Sequence, residues 1–145
     1  MQPMPSLAAL AETVRDSCRP YPVTLAYLFG SHARGTADAE SDIDIALLVA
    51  PALSKEERFD LRLTLRSAIA AALGRDSESV DLVILQDVPA LLRYNVLRKG
   101  HLLFATNIAA RRIFEREVEN AYADESPFLD READVTLDRI LSHAA

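Results

Sequence analysis

Apolar residues recur along this chain in two different rhythms, and together these rhythms predict an α/β fold. Spacings of three and four residues, typical of amphipathic helices, predict helices over residues 6–18, 54–73, 88–98 and 107–122. Runs rich in β-branched, aromatic and other apolar residues predict strands over residues 23–29, 42–49, 80–85 and 101–105. Strands that alternate with helices indicate a small mixed β-sheet flanked by helices.

Local signals define several element ends. Ser54, followed three residues later by Glu57, forms a capping box, and Gly74 closes the helix that follows. Gly30 ends the first strand; residues 31–35 are then expected to form a short helical turn and 36–41 a polar loop. The apolar side of the 54–73 helix is expected to consist largely of Phe59, Leu61, Leu65, Ile69 and Leu73. The 107–122 helix is suggested by Ile108, Ile113, Phe114 and Val118.

The length of the chain, 145 residues, suits one domain with a real hydrophobic core rather than two. We assign residues 1–124 to that domain. Residues 125–145 are acidic and irregular, and only 135–141 hints at a further helix. We expect this tail to dock on the body of the protein or on a partner.

Composition and charge exclude some classes of function. A net charge of -6 argues against a protein that holds nucleic acid by neutralising phosphates, so no direct nucleic-acid binding is expected. The longest apolar stretch is far shorter than the roughly 20 residues of a membrane helix, and Pro51 interrupts it. Glu12, Arg15 and Asp16 break the run that a signal peptide would require, so a cytoplasmic location is expected. The single cysteine, Cys18, is expected to be a small core residue.

Candidate chemistry concentrates where a glycine turn precedes two acids. Gly30 allows a close approach to the backbone, and Ser31 adds a hydroxyl at the start of a helical turn. Free backbone N–H groups at such a turn can bind phosphate oxygens. A Gly-Ser pair after a strand is also the ordinary signature of a turn with an N-cap, so alone it is a weak signal.

Two carboxylates, Asp42 and Asp44, head the second predicted strand, whose alternation places them on one face. Carboxylates so placed can share Mg²⁺ ions that also bind substrate phosphates. The alternative is that Asp42 is a turn residue and Asp44 a solvated edge residue. The residues after Asp44 are apolar on both faces, however, so Asp44 enters a buried strand, where an unpaired carboxylate is costly.

Asp81 repeats this anomaly, since it is a carboxylate within the apolar run VDLVIL. A salt bridge or a cap near the strand end would explain it structurally. If its strand neighbours the second one, Asp81 completes a cluster of three carboxylates. Such a cluster can hold two Mg²⁺ ions and help to take a proton from an attacking hydroxyl.

The pattern Gly30-Ser31-x10-Asp42-x-Asp44, with Asp81 as a later third acid, resembles the signature of the nucleotidyltransferase superfamily that includes DNA polymerase beta. The segments GSHARG and SDIDIALLV look like the minimal, MNT type of that superfamily. Proteins of this type are short stand-alone domains, typically encoded beside a HEPN-domain protein as a toxin–antitoxin pair. The likeness covers most of residues 23–124.

The resemblance implies a Mg²⁺-dependent protein adenylyltransferase. ATP would bind with its triphosphate on Gly30 and Ser31, and two Mg²⁺ ions would bind on Asp42, Asp44 and Asp81. An acceptor hydroxyl would then attack the α-phosphorus, and pyrophosphate would leave. In the MNT type the implied acceptor is a tyrosine of the HEPN partner, an RNase toxin that AMP addition silences.

Two further residues of the motif receive expected roles. Arg34 would contact phosphate, although a surface arginine that pairs with Asp38 or Glu40 explains it equally well. Ser41 would cap or position the loop before Asp42.

Two other functions stay open. One is an antitoxin that neutralises by binding and covering the toxin, without essential catalysis. The other is a nucleotidyltransferase for an antibiotic or an RNA end. It is less favoured because those enzymes usually carry a further substrate-binding domain, and because the chain is acidic.

Overall fold

Four strands and five helices alternate along residues 5–35, 37 and 41–124, the part of the chain that the computed structural model describes. The strands are β1 (Val23–Phe29), β2 (Ile43–Val49), β3 (Val80–Ile84) and β4 (His101–Ala105). The helices are α1 (Leu7–Cys18), α2 (Gly30–Arg34), α3 (Lys55–Leu73), α4 (Ala90–Lys99) and α5 (108–124). The expected alternation of strands and helices is confirmed.

The strands form one mixed sheet in the order β3-β2-β1-β4. β1 runs antiparallel to both β2 and β4, whereas β2 and β3 run parallel. A parallel pair requires a crossover connection, and α3 supplies it. This crossover brings the starts of β2 and β3 to the same end of the sheet.

Both faces of the sheet are covered, which explains why its central strands are apolar throughout. On one face, α1 and α3 contribute the buried side chains Leu10, Val14, Leu65 and Ile69. On the other face, α4 and α5 contribute Leu92, Val96, Phe114 and Val118. Cys18 is buried against the first face, as expected.

The alternation along β2 decides where its acid points. Ile43, Ile45 and Leu47 belong to the core on the α1 and α3 side. Ala46 belongs to the core under α4 and α5, so Asp44, two residues before it, lies on that second face. The strand pattern thus turns a carboxylate toward the face where α4 and α5 pack.

Several predicted boundaries differ from those of the structure. β2 begins at Ile43, one residue later than expected, and β3 ends at Ile84 because Leu85 begins a 3₁₀ turn. The helix predicted from residue 88 begins at Ala90, because Val88 is extended before Pro89, as residues preceding proline prefer. The helix hinted at over residues 135–141, like the whole tail, lies outside the described residues.

The apolar sides predicted for α3 and α5 are partly wrong. Phe59 is 54% exposed, whereas Leu61 and Leu65 of the same helix are buried. Ile108 and Ile113 are also exposed, although Phe114 is buried. Neighbouring positions on a helix differ by about 100°, so only a narrow stripe of each helix reaches the sheet. None of the helices within the described ranges is both long and apolar enough to cross a membrane.

The start of α3 is held by the predicted capping box. Ser54 Oγ accepts a hydrogen bond from the Glu57 amide at 3.1 Å, and Glu57 Oε1 accepts one from the Ser54 amide at 2.9 Å. Ser54→Ala is expected to lower the free energy of unfolding by about 1 kcal/mol in urea denaturation. Ser67→Ala, an exposed change inside the same helix, is the control and should not destabilise. Equal stability of the two variants would contradict this role.

Candidate active site

Three acidic residues lie at the end of the sheet where β2 and β3 begin. The parallel pairing aligns Asp44 of β2 directly with Asp81 of β3. Asp42 lies immediately before β2, and its charge raises the pKa of both other acids. The strand of Asp81 therefore neighbours β2, which was the condition for a cluster of three carboxylates. The role of Asp81 in that cluster stays a prediction.

Asp44 is the anomalous member of this group. It is fully buried, and neither of its carboxylate oxygens has a hydrogen-bond partner among the described residues. Burial, then the charges of Asp81 and Asp42, raise the pKa of its carboxyl from 3.8 to about 8, while Arg34 opposes the shift. A buried acid without a partner destabilises a fold, so its presence indicates a function that requires it.

Asp81 is half-buried, and both acidic and basic side chains act on its carboxyl. Burial raises the pKa of its carboxyl, and the charge of Asp42 adds to that effect. Arg66 and Arg62 lower the same pKa. Two arginines therefore favour the ionised form of Asp81, which lies beside the fully enclosed Asp44.

Gly30 packs directly against Asp44. It has a positive φ of 74°, and a Cβ atom at this position would lie 2.1 Å from Asp44 Oδ2. Phe29, the residue before it, pairs with Asp44 across β1 and β2. The glycine turn and the acidic pair thus form one site, in which the N-terminus of α2 stands beside the buried carboxylate.

Gly35 offers a matched control for this contact. Its φ of 73° equals that of Gly30, but a Cβ atom there would meet nothing within 4 Å. Gly35→Ala is expected to cost about 1–2 kcal/mol of unfolding free energy from backbone strain alone. Gly30→Ala should cost clearly more, and the excess should shrink in an Asp44→Ala background. Denaturation of the four variants measures this coupling, and equal costs at the two glycines would contradict the packing.

The remaining motif residues surround this centre. Ser31 is half-buried in α2, and Arg34, although exposed, lies near enough for its charge to act on Asp44. The alternative partners of Arg34, Asp38 and Glu40, lie outside the described residues.

Ser41 enters the site through its backbone. Its carbonyl oxygen accepts a hydrogen bond from His32 Nε2 at 3.1 Å and a long one from Arg75 Nη1 at 3.5 Å. His101 Nε2 similarly donates to the Ala33 carbonyl at 2.9 Å. These contacts are not predictable from a motif, because each histidine stands alone in the sequence; the position of His32 directly after Ser31 is the one signal that points to the site.

The donor chemistry of the site suits a hard divalent cation, since Mg²⁺ prefers carboxylate oxygens. The two oxygens of Asp44 that lack hydrogen-bond partners are free to act as ligands. In the described part of the chain, however, no group of three His, Cys, Asp or Glu side chains is arranged so that it could hold a metal ion. Like charges repel, so three acids are not expected to converge without a cation.

Comparison with known proteins defines the class. The Polymerase beta nucleotidyltransferase family matches residues 12–109, and the chain belongs to this family.

Three similar proteins narrow the comparison. The chain is 42% identical over 82 residues to the protein adenylyltransferase MntA of Shewanella oneidensis, a match that spans 57% of this chain and 54% of that protein, about half its length. A toxin–antitoxin crystal structure with AMP-PNP contains a chain that matches with a TM-score of 0.61 and 30% identity, covering 87% of this chain and 98% of that one. A structure of a tri-AMPylated Shewanella oneidensis HEPN toxin with its MNT antitoxin matches with a TM-score of 0.57 and 26% identity, covering 90% and 98%. The resemblance to the MNT type is confirmed.

Proposed function

We propose that this protein is an antitoxin that transfers AMP from ATP to a tyrosine hydroxyl of a HEPN-type toxin. The observation that carries the proposal is the buried Asp44 carboxylate, packed against Gly30 and aligned with Asp81. This contact joins a phosphate-binding turn to a set of acids, which is what nucleotidyl transfer requires. The names of the relatives support both the activity and the kind of partner.

The nucleotide would bind at the start of α2. Backbone N–H groups there, with the Ser31 hydroxyl, would donate to the β- and γ-phosphates of ATP. Arg34 would add a positive charge near the phosphates. These contacts would hold the α-phosphorus in line with the incoming hydroxyl, which lowers the entropic part of the activation barrier.

The acids would act at the α-phosphorus. Asp42, Asp44 and Asp81 would hold two Mg²⁺ ions, which neutralise charge on the phosphates and on the leaving pyrophosphate. Asp81, whose ionised form Arg66 and Arg62 favour, would accept the proton of the attacking hydroxyl. A new bond then forms between that oxygen and the α-phosphorus, and the bond to the β-phosphate oxygen breaks.

The test of this proposal is transfer of label to the purified partner. With Mg²⁺, ATP labelled on its α-phosphate should label a HEPN-type toxin, and ATP labelled on its γ-phosphate should not. Mass spectrometry should locate the adduct on a tyrosine. Label from the γ-phosphate would identify a kinase instead, and no label from either would overturn the proposal.

Neutralisation by binding alone is the second candidate. A complex between an AMPylated toxin and its MNT antitoxin exists for the Shewanella oneidensis pair, so modification does not preclude contact there. If binding dominates, a variant with both Asp42→Asn and Asp44→Asn should still suppress toxicity in cells. Loss of protection by that variant, with its fold and complex intact, assigns neutralisation to catalysis.

A further inference from the structure

The outer side of α3 carries apolar side chains beside the free edge of the sheet. Among the strands that the structure describes, β3 pairs only with β2. Phe59 and Leu63, one turn apart on α3, are 54% and 41% exposed. Phe59 is also one wall of a groove of about 270 Å³ between α3 and β3, whose apolar lining continues with Leu82, Ile84 and Val88. This apolar surface has no partner within the described fold.

Basic side chains line the same groove. Their spacings of three, four and four residues place them along one side of α3. We call this row the basic stripe: Lys55, Arg58 and Arg62, which line the groove, and Arg66, which continues the row one turn beyond it. Arg58 is paired with Asp87, its Nη2 donating to Oδ1 at 2.7 Å. The other three have no ion-pair partner in the described ranges, although the chain as a whole carries a net charge of -6.

The basic stripe also covers the backbone of β3. Arg66 Nε donates to the Val80 carbonyl at 2.8 Å, and Arg62 Nη1 makes a long contact of 3.5 Å to the Leu82 carbonyl. Guanidinium groups over these carbonyls oppose the addition of another strand at this edge. Each guanidinium has five N–H donors, so further donors remain for carboxylates. A partner would therefore contact side chains here rather than extend the sheet.

The stripe leads to the candidate active site. Arg66, at one end, bonds to the carbonyl of Val80, the residue before Asp81. Lys55, at the other end, lies about 16 Å away along the helix, given the rise of 1.5 Å per residue. A polypeptide segment lying along the stripe would thus end at the start of β3, at the edge of the sheet, where the charges of Arg66 and Arg62 act on Asp81. From this edge an acceptor hydroxyl of the segment would approach Asp81.

We propose that the basic stripe, together with Phe59 and Leu63, is the docking surface for an acidic segment of the partner that receives AMP. An apolar side chain of that segment fills the groove beside Phe59, and its carboxylates pair with the arginines. Arginine and aromatic residues are the side chains that most often dominate the energy of such interfaces. Arg62 already stacks on the Phe59 ring, at 5.4 Å from the ring centre, so both groups are preorganised. This inference rests on the proposed function.

The test uses the full chain and a HEPN-type partner. A Phe59→Ser, Leu63→Ser double variant should weaken the complex about tenfold or more in a titration without ATP. In AMP transfer it should raise KM for the partner, with little change in kcat at saturating partner or in ATP binding. Lys55→Glu, a change of charge alone, should also weaken the complex and reduce its sensitivity to salt.

Ile113→Ser is the matched control, because Ile113 is similarly exposed but lies on α5, across the sheet. It should bind the partner like the wild type. Wild-type affinity of the Phe59 and Leu63 variant would overturn the proposal, as would weakening by Ile113→Ser alone. Binding of RNA that depended on the same residues, in place of the protein partner, would also overturn it.

The two proposals fail in different ways. If the wild type labels its partner but the α3 variants bind that partner with wild-type affinity, the proposed docking surface is wrong and the proposed activity stands. If the partner binds through Phe59 and Leu63 but no AMP is transferred, the activity is wrong and the surface stands as an interface.

Discussion

Asp44→Asn is expected to reduce AMP transfer by about 1,000-fold or more while leaving the protein folded. The change keeps the size of the side chain but removes the buried carboxyl group, whose ionised form would hold a cation beside the phosphates. Loss of several kcal/mol of transition-state stabilisation corresponds to this factor, since about 1.4 kcal/mol is tenfold in rate. Rates of AMP transfer at saturating ATP and partner measure the effect.

Asp60→Asn is the matched control, because Asp60 is exposed on α3 and the change removes the same charge. It should transfer AMP at nearly the wild-type rate. Residual activity of Asp44→Asn within tenfold of the wild type would show that Asp44 does not take part in the reaction. Unfolding of the variant is not expected, because an amide is cheaper to bury than a carboxylate.

The stability of the metal-free protein is expected to fall as the pH rises from about 5 to 8. The pKa of Asp44 is about 8 in the folded state, well above its ordinary value of 3.8. Between these values the folded protein binds a proton that the unfolded chain has released, so unfolding becomes easier with each unit of pH. The stability that protonation of Asp44 provides is complete below about pH 4 and is lost as pH approaches 8. The total effect is on the order of a few kcal/mol.

Other shifted groups act largely outside this window. Asp87 and Glu57 have lowered pKa values, so they lose their contribution in acid, below the range tested. The pKa of Cys18 is raised to about 12, which affects stability only in alkali. Asp81, whose pKa is raised, adds to the trend of Asp44.

Urea denaturation at pH 5, 6, 7 and 8 tests this dependence. The wild type should become less stable across the series, and Asp44→Asn should show a much flatter profile. Mg²⁺ should restore stability to the wild type at pH 8, but not to Asp44→Asn, because a ligand stabilises the state that binds it. Rising stability of the metal-free wild type, or an equal slope in the variant, would contradict the raised pKa.

Much of the fold follows from local patterns. The hydrophobic periodicity located the four strands of the described residues, and the capping box placed the start of α3 correctly. These predictions are correct because backbone geometry and capping depend on a few adjacent residues. The boundary errors occur where one element directly follows another. Leu85, for example, is predicted to end β3 but is the first residue of a 3₁₀ turn.

The exposed apolar residues show where local pattern stops being sufficient. Phe59 and Ile113 have the hydrophobicity and spacing of core residues, yet both are exposed. A helical pattern defines which residues lie on the same side of a helix. How many of those residues are buried depends on how the helix packs against the sheet. For Phe59, the exposed position coincides with the basic stripe, and that coincidence is visible only in three dimensions.

By itself, the sequence determined the order of elements, the glycine turn and the acids, since each depends on residues close together in the chain. The tertiary structure alone decided that Asp44 and Asp81 stand side by side, because strand order and register arise from contacts distant in sequence. It also decided that Gly30 has no room for a side chain and that Asp44 is fully enclosed. The raised pKa of Asp44 follows from that enclosure, because burial and neighbouring charge are properties of the packed molecule.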